Sequence, residues 1–250
     1  MKLVVAVKQI KILGDEVEFT ADGRDVDPDF LDRALNEWDA CATEEALQLR
    51  ERLGDCEVVV VTVGDDESEG ALRRCLAMGA DRAIRVDART LDPITTARAL
   101  AGAVMGESPD LVLCGVQSAD SVQGATGVAL AQLLGLPRVA VVNRVEWSGS
   151  GPATVQRELE GGLVDVVEVD TPAVLTIQTG INQPRYANLR AIKQAEQQEI
   201  TVVPAADEGS PAFTVRRMFA PPRGEGATML DGSPAEVAQS ILDIVRERLA

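Results

Sequence analysis

The stretch CGVQSADSVQGATG, residues 114–127, lies between a predicted strand and a predicted helix and consists of small and polar residues. A loop of this kind presents backbone N–H groups and the positive end of a helix dipole to an anion. Gly124 and Gly127 permit a ligand to approach the backbone closely. Ser121 and Thr126 carry hydroxyls that can bind it. The stretch predicts a phosphate site, with an ordinary polar loop before a capped helix as the alternative, because neither GxGxxG nor GxxxxGK[ST] occurs.

Other residues are predicted to line the same crevice. Ligands of open parallel sheets bind beyond the carboxyl ends of the strands. This rule brings Ala6 to Gln9 and Val63 to Asp66, at the ends of two predicted strands, into the same crevice as Asp120, which can orient a loop or a ribose. The segment LNEWD adds Asn36 and Trp38, an amide and an aromatic ring that suit the edge of a nucleotide or a flavin. The alternative is that Trp38 packs in the core and Asn36 caps a helix.

The elements that position these residues alternate between apolar runs and helical patterns. The runs are KLVVAV (2–7), EVVVVTV (57–63), RAIRV (82–86), DLVLCG (110–115) and RVAVVNRVEW (138–147). Continuous Val, Leu and Ile are typical of parallel strands covered on both faces. The predicted fold class is α/β, an open, mostly parallel, doubly wound sheet.

The pattern changes from about residue 153. Two strands joined at Gly161 and Gly162, and a third after Pro172, predict an antiparallel addition to the sheet. A short helix is predicted near 188–197, and residues 198–233 show little periodicity. A terminal amphipathic helix follows Ser233 as N-cap. An extended arm before one amphipathic helix favours a partner-binding role, with a helix folded back on its own domain as the alternative.

Two adjacent carboxylates, Glu44 and Glu45, follow Thr43 in an acidic stretch that suits a helix start. Neighbouring residues on a helix face different directions, so they do not predict an acid/base pair. We expect both side chains to be solvated.

Composition excludes several function classes. The chain of 250 residues has no histidine and a net charge of -16, which argues against a histidine-dependent triad and against nucleic-acid partners. Its four cysteines are widely spaced, which argues against a metal site or disulfides. No run of about 18 apolar residues and no signal peptide are evident, so we expect a cytoplasmic protein without membrane insertion.

Several motifs, in order along the chain, resemble the β subunit of electron transfer flavoproteins. The resemblance runs from residue 1 to about residue 200, and INQPRYANL after RELEGGL is its most specific part. The tail RRMFAPPRGEGATML (216–230) is similar to the members that serve bacterial amine dehydrogenases. The other motifs are VAVKQ (5–9), LNEWDACATEEALQLRE (35–51), CLAMGADRAIRV (75–86) and GVQSADSVQGATG (115–127).

The resemblance implies a Rossmann-like, adenine-nucleotide-binding domain whose β-subunit site holds AMP. Carried over position by position, the AMP contacts are Ala6, Asn36, Val63, Asp120, Ser121, Val122, Gln123, Gly124, Ala125 and Thr126. Thr126 matches a phosphate-binding threonine. Gly124 and Ala125 depart from the family pattern, since they replace polar amides and leave only backbone donors.

The resemblance also implies contacts with partners. Trp38 and Leu13 fall near the FAD, which the partner α subunit mainly holds. Residues 180–189 match a loop that docks dehydrogenases through Asn182, Pro184, Arg185, Tyr186 and Leu189, with Leu189 as the apolar anchor. From the residues alone, Tyr186 and Leu189 packing on their own domain is the alternative.

The implied function is that of a non-enzymatic electron carrier. By the resemblance, residues 1–200 are expected to form the nucleotide-binding domain, and residues 201–250 an arm and a helix that pack on the α subunit. The resemblance also implies that electrons pass from flavin-dependent dehydrogenases through the FAD toward a membrane quinone oxidoreductase. The alternatives are an electron-bifurcating flavoprotein with a second FAD in place of AMP, and a stand-alone nucleotide-binding protein.

Overall fold

The computed structural model describes residues 1–14, 16–89, 92–207, 209–211, 213–222 and 226–249. Parts of the predicted arm and of the 216–230 tail, residues 208, 212, 223–225 and 250, lie outside the described residues. The strands are β1 (Lys2–Ala6), β2 (Gln9–Leu13), β3 (Leu31–Leu35), β4 (Glu57–Val63), β5 (Arg82–Asp87), β6 (Leu111–Gly115), β7 (Arg138–Glu146), β8 (Ala153–Glu158), β9 (Val164–Val169), β10 (Ala173–Ile177) and β11 (Ile200–Pro204). The helices are α1 (Glu37–Leu53), α2 (Glu69–Met78), α3 (Pro93–Glu107), α4 (Thr126–Leu134), α5 (Leu189–Gln197) and α6 (Pro234–Leu249).

In the described part of the chain, nine strands form one sheet in the order β11-β5-β4-β1-β6-β10-β7-β8-β9. All neighbours from β11 to β7 are parallel, and β8 and β9 continue the sheet antiparallel. The remaining pair, β2 and β3, forms a separate antiparallel hairpin. The chain crosses from β1 to β4 on one side and later places β6 on the other side of β1. The strand order therefore reverses between β1 and β6, where open α/β sheets bind their ligands.

Alternating residues of the central strands face two different helix layers. Leu3 and Val5 of β1 belong to a core with α1 and α2, whereas Val4 and Ala6 belong to a core with α3 and α4. Burial on both faces explains why these strands are uninterrupted apolar runs. The fold class predicted from the sequence is confirmed.

The position of β10 corrects one prediction. The strand after Pro172 does not belong to the antiparallel addition, because it inserts parallel between β6 and β7. Only β8 and β9 form the predicted hairpin, and Gly161 and Gly162 at its turn have positive φ values of 76° and 74°. All five residues of β10 are buried, which a core strand requires and an added edge strand does not.

The C-terminal region is partly as predicted. Strand β11, which we did not expect, extends the parallel sheet at β5. Helix α6 begins after Ser233, whose hydroxyl accepts from the Glu236 N–H at 3.4 Å while the Glu236 carboxylate accepts from the Ser233 N–H at 2.8 Å. No described residue of α6 is buried, so the helix does not fold back onto its own domain. No helix of the described part of the chain is long and apolar enough to cross a membrane.

Helix α1 begins earlier than predicted. It starts at Glu37 rather than near Thr43, and every residue from Cys41 to Leu47 is buried. The helix lies between the sheet and the segment after β10. It therefore connects the carboxyl ends of the strands to that segment.

Candidate functional site

A cavity of about 250 Å³ lies at the carboxyl ends of β1, β4 and β6. A single water needs about 10–15 Å³ of such space, so the cavity has room for a small organic molecule. Eight of the predicted AMP contacts line it: Ala6, Asn36, Val63, Ser121, Gln123, Gly124, Ala125 and Thr126. Asp120 and Val122 belong to the same loop but are not among the lining residues.

The loop between β6 and α4 is tied to the start of α1 by Asn36. The Asn36 side-chain amide donates to the Gln117 carbonyl at 2.8 Å, and its Oδ1 accepts from the Ala119 N–H at 3.2 Å. Asn36 occupies the N-cap position of α1 without making a capping bond. Its side chain shapes the cavity wall instead, which the helix-cap alternative did not anticipate.

The first turn of α4 lines the cavity through Thr126 and Gly127. Ala125 is at the N-cap and supplies no side-chain acceptor, so the first N–H groups of α4 have no capping side chain among the described residues. Gly127 is needed here, since a Cβ at this position would collide with Cys114 and Thr176. This close packing sets the helix start, with the Thr126 hydroxyl, directly over the strand ends. The chemistry of these groups fits a phosphate.

Lys8 closes the mouth of the cavity. Its ammonium group contacts Asp120 Oδ1 at 2.6 Å, Ser118 Oγ at 3.1 Å and Ser121 Oγ at 3.4 Å. Burial works to raise the pKa of Asp120, but the hydrogen bonds and charge from Lys8, with the Ser118 bond, lower it overall. Asp120 therefore holds Lys8 across the loop as an anion. The sequence predicts Asp120 in the site and Lys8 in the crevice as part of residues 6–9, but it does not predict the contact between them.

Asp39 is one of the cavity-lining residues that the sequence did not predict. Its carboxylate accepts from the Lys8 N–H at 2.8 Å and from the Gly115 N–H at 2.8 Å. Burial raises the pKa of Asp39 to about 6, although both hydrogen bonds oppose this shift. One signal was available: Asp39 precedes the buried Ala42, Thr43 and Ala46 at helical spacing and so lies on the buried face of α1.

Trp38 and Leu13 lie outside the residues that line this cavity. Trp38 is half-buried, and its indole N–H donates to Gln178 Oε1 at 2.9 Å. It therefore links the start of α1 to the segment after β10 and is not simply a core residue. Leu13 ends β2 and is 59% exposed.

The predicted docking loop, residues 180–189, is fastened to α1. The Asn182 amide donates to the Cys41 carbonyl at 3.1 Å and to Glu45 Oε2 at 3.3 Å. Pro184 and Arg185 are half-buried beside it. The loop therefore has a fixed base.

Arg185 makes the strongest link between the loop and α1. Its backbone N–H and its guanidinium both donate to the Glu44 carboxylate, at 3.1, 2.8 and 2.9 Å, and it also contacts Glu51 at 2.6 Å. Burial opposes ionisation of Glu44, but the Arg185 hydrogen bonds lower its pKa overall. The expectation that Glu44 and Glu45 are solvated is wrong, because they are 3% and 4% exposed. Their partners, Arg185 for Glu44 and Arg52 for Glu45, allow them to be buried as charges.

The outer side of the loop is open to solvent. Tyr186 is 93% exposed and Leu189, the first residue of α5, is 78% exposed. Neither side chain packs on its own domain, which contradicts that alternative. The Arg74 guanidinium lies 5.6 Å from the centre of the Tyr186 ring. Among the described residues, no cluster of His, Cys, Asp or Glu could hold a metal ion.

The chain is similar along most of its length to proteins of one family. A family model described as "Electron transfer flavoprotein domain" matches residues 29–208. "Electron transfer flavoprotein subunit beta" of Methylophilus methylotrophus is 46% identical over 261 residues, covering 99% of this chain and 98% of that protein. The protein of the same name from Syntrophomonas wolfei is 36% identical over 232 residues, covering 92% and 90%. The one from Bacillus subtilis is 29% identical over 256 residues, covering 98% of each chain.

Proposed function

Because the chain belongs to the electron transfer flavoprotein family, as a beta subunit, we propose that it pairs with an alpha subunit and serves as a mobile electron carrier. In this proposal it receives electrons from flavin-dependent dehydrogenases and passes them toward a membrane quinone oxidoreductase. The observation that carries the proposal is the solvent-exposed pair Tyr186 and Leu189 on a loop anchored by Arg185 to buried Glu44. A fixed base under an exposed apolar residue is what a docking site requires.

The cavity beside β1 and β6 holds AMP in this proposal. Its phosphate binds the uncapped first turn of α4 and the Thr126 hydroxyl, with Lys8 supplying positive charge at the mouth. The Asn36 amide holds the wall of the cavity. AMP has no redox chemistry to contribute, so its role is to fill and stabilise the domain.

The FAD, mainly held by the alpha subunit, supplies the flavin ring that accepts and gives electrons when bound. Trp38 and Leu13 are the residues of this chain that we assign to its vicinity. The Trp38 indole is held in one orientation by Gln178, and Leu13 offers an exposed apolar side chain at the end of β2. Both shield the flavin from water, while neither moves a proton.

The C-terminal arm and helix, residues 201–250, bind the alpha subunit in this proposal. Their exposed apolar side chains support it, since uncovered apolar surface marks sites of protein–protein contact. The large exposed apolar residues are Val202, Phe213, Met218, Phe219, Met229, Ile241, Leu242, Ile244, Val245 and Leu249.

The test uses the heterodimer obtained by coexpression with the alpha subunit. It is mixed without oxygen with a bacterial amine dehydrogenase and the amine substrate, and the flavin absorbance is followed. With a limiting amount of the amine, we expect the flavin to be reduced, and to be reoxidised when a quinone oxidoreductase and a quinone, which takes up the electrons, are added. Reduction by NADH alone, with no response to any flavin-dependent dehydrogenase, would contradict the carrier and favour an electron-bifurcating flavoprotein.

A further inference from the structure

One buried carboxylate connects two neighbouring strands at the base of the cavity. Asp39 is 5% exposed, and its two oxygens accept separate backbone N–H groups, one from Lys8 after β1 and one from Gly115 at the end of β6. Both bonds are 2.8 Å long. These strands lie on either side of the point where the strand order reverses.

The backbone at Gly115 is shaped to admit this carboxylate. A Cβ at Gly115 would lie 2.5 Å from Asp39 Oδ1 and 2.5 Å from the Trp38 Cβ. Any side chain there would push the start of α1 away from β6. Both hydrogen-bond geometry and steric fit therefore fix Asp39 against the strand ends.

We infer that Asp39 is a positioning residue for the nucleotide, clamping the ends of β1 and β6 at the separation that the cavity needs, and that a proton on Asp39 releases the nucleotide. The inference rests on the proposed nucleotide site. Asp39 also lines the cavity, but its two oxygens already accept the N–H groups of Lys8 and Gly115, so it acts on the nucleotide through the position of these two strand ends. A carboxylate accepts both N–H groups strongly, whereas a protonated carboxyl keeps one carbonyl oxygen as a strong acceptor and accepts only weakly at its hydroxyl oxygen, so one of the two bonds weakens.

The surroundings of Asp39 place this change in an accessible pH range. The charged or titratable groups that face it are Lys8 after β1, the thiols of Cys75 on α2 and Cys114 on β6, and Cys41 on α1 itself. Lys8 is already paired with Asp120, and burial raises the pKa values of the three thiols. The chain has no histidine. Burial raises the pKa of Asp39 to about 6, so its clamp weakens as the pH falls through this value.

Protonation of Asp39 is expected to change the stability of the protein and its affinity for the nucleotide in opposite directions. A carboxyl whose folded pKa is raised gives a contribution to stability that decreases as the pH rises from 3.8 to about 6. Protonating Asp39 therefore does not reduce its contribution to the free energy of unfolding. Loss of the nucleotide on acidification would instead lower the measured affinity. Affinity and melting temperature therefore distinguish a positioning role from a general effect on stability.

The experiment compares the heterodimer with its Asp39→Asn and Asp110→Asn variants. Asp110 is a matched control, because its carboxylate accepts the Lys2 N–H at 2.7 Å at the other end of β1, away from the cavity. The affinity for radiolabelled AMP is measured by equilibrium dialysis from pH 5 to 8, with the melting temperature at each pH. Loss of a charged hydrogen bond predicts AMP binding weaker by about tenfold or more for Asp39→Asn above pH 7.

The decisive comparison is that of AMP affinity against pH for the three proteins. In the unaltered protein and in Asp110→Asn we expect affinity to fall below about pH 6, in addition to the titration of the AMP phosphate that all proteins share. In Asp39→Asn the additional step disappears. Equal affinities and equal pH curves for Asp39→Asn and the unaltered protein would overturn the inference, as would the same loss in Asp110→Asn.

Two further results are distinguishable. If Asp39→Asn does not fold, Gly115→Ala displaces the carboxylate without removing it, and the same loss of AMP is expected; unaltered AMP binding in that variant would overturn the inference. If the unaltered heterodimer binds no AMP at any pH, the proposed nucleotide site fails and the inference fails with it.

Discussion

At the scale of single residues, Leu189 is an apolar side chain that stands in solvent at the first position of α5. Replacing it with alanine is expected to lower kcat/KM for reduction by the cognate dehydrogenase by about tenfold or more, because central apolar anchors dominate docking energy. Stopped-flow reduction at sub-saturating carrier measures this. Leu133→Ala, the same change at an exposed leucine of α4, is the control and should leave the rate unchanged. Unchanged kinetics for Leu189→Ala would remove its docking role.

Thr126 tests the nucleotide site at the same scale. Thr126→Val keeps the shape but removes the hydroxyl, and the loss of one hydrogen bond is expected to weaken AMP binding by about fivefold. Thr126→Ser restores the hydroxyl and should restore the affinity. Equilibrium dialysis compares the three proteins. Equal affinity for Thr126→Val and the unaltered protein would show that this hydroxyl does not touch the phosphate.

The sequence predicted several residues of the cavity correctly, but it did not predict which carboxylates are buried. Small and hydroxyl residues after a strand identified Ser121 and Thr126, because strand ends converge in a parallel sheet. The buried state of Glu44 and Asp39 depends on partners about 141 and 76 residues distant in sequence, Arg185 and Gly115. A single sequence gives no such pairing.

At the scale of elements, the link between the docking loop and α1 is testable through Glu44 and Glu51. Glu44→Gln removes the buried carboxylate of the pair and is expected to loosen the loop, since the half-buried Arg185 keeps only the exposed Glu51 as a charged partner. Glu51 pairs with the same arginine at the surface, so Glu51→Gln should have little effect. Hydrogen exchange of residues 180–189 measures the difference. Equal exchange in the two variants would contradict the link.

The same link predicts a pH dependence. The folded pKa of Glu44 is lowered from 4.5, so its contribution to stability is fully present above that value and is lost as the pH falls through the lower, folded pKa. Protection of the loop should therefore decline only below about pH 4.5 in the unaltered protein. The Glu44→Gln variant should lack that step.

Elements differed in how far the sequence determined them. Strands β1 and β4 are buried on both faces, so their uninterrupted apolar runs identified them as central strands. The N-cap residue Ser233 identified the start of α6. The apolar run of β10 fits an antiparallel or a parallel strand equally well, and only pairing with β6 and β7 decides between them. Strand β11 is short and lies at the sheet edge, so its pattern is weak.

At the scale of the whole molecule, the C-terminal arm is expected to be needed for assembly and not for folding. A chain ending at Asp207 keeps β11 and the Arg98 ion pair but loses the exposed apolar arm and α6. We expect its melting temperature to remain within about 5 °C, since few buried contacts are removed. Coexpression with the alpha subunit and size-exclusion chromatography measure assembly. A stable heterodimer with the shortened chain would contradict the assigned role of the arm.

The fold class was predictable at this scale because strand and helix patterns alternate regularly. The surfaces that contact a partner could be predicted only as sets of exposed apolar residues. The sequence of one chain contains only half of an interface and does not show what the other half is. The net charge of -16 argues against nucleic acid but does not identify a protein partner.

The central claim, an electron carrier with AMP in the cavity of this chain and FAD in its complex, is tested most directly by counting nucleotides. The heterodimer is purified after coexpression and denatured, and the released nucleotides are identified and quantified against protein. The account predicts one FAD and one AMP per heterodimer. Two FAD and no AMP, or a heterodimer with no nucleotide, would contradict it.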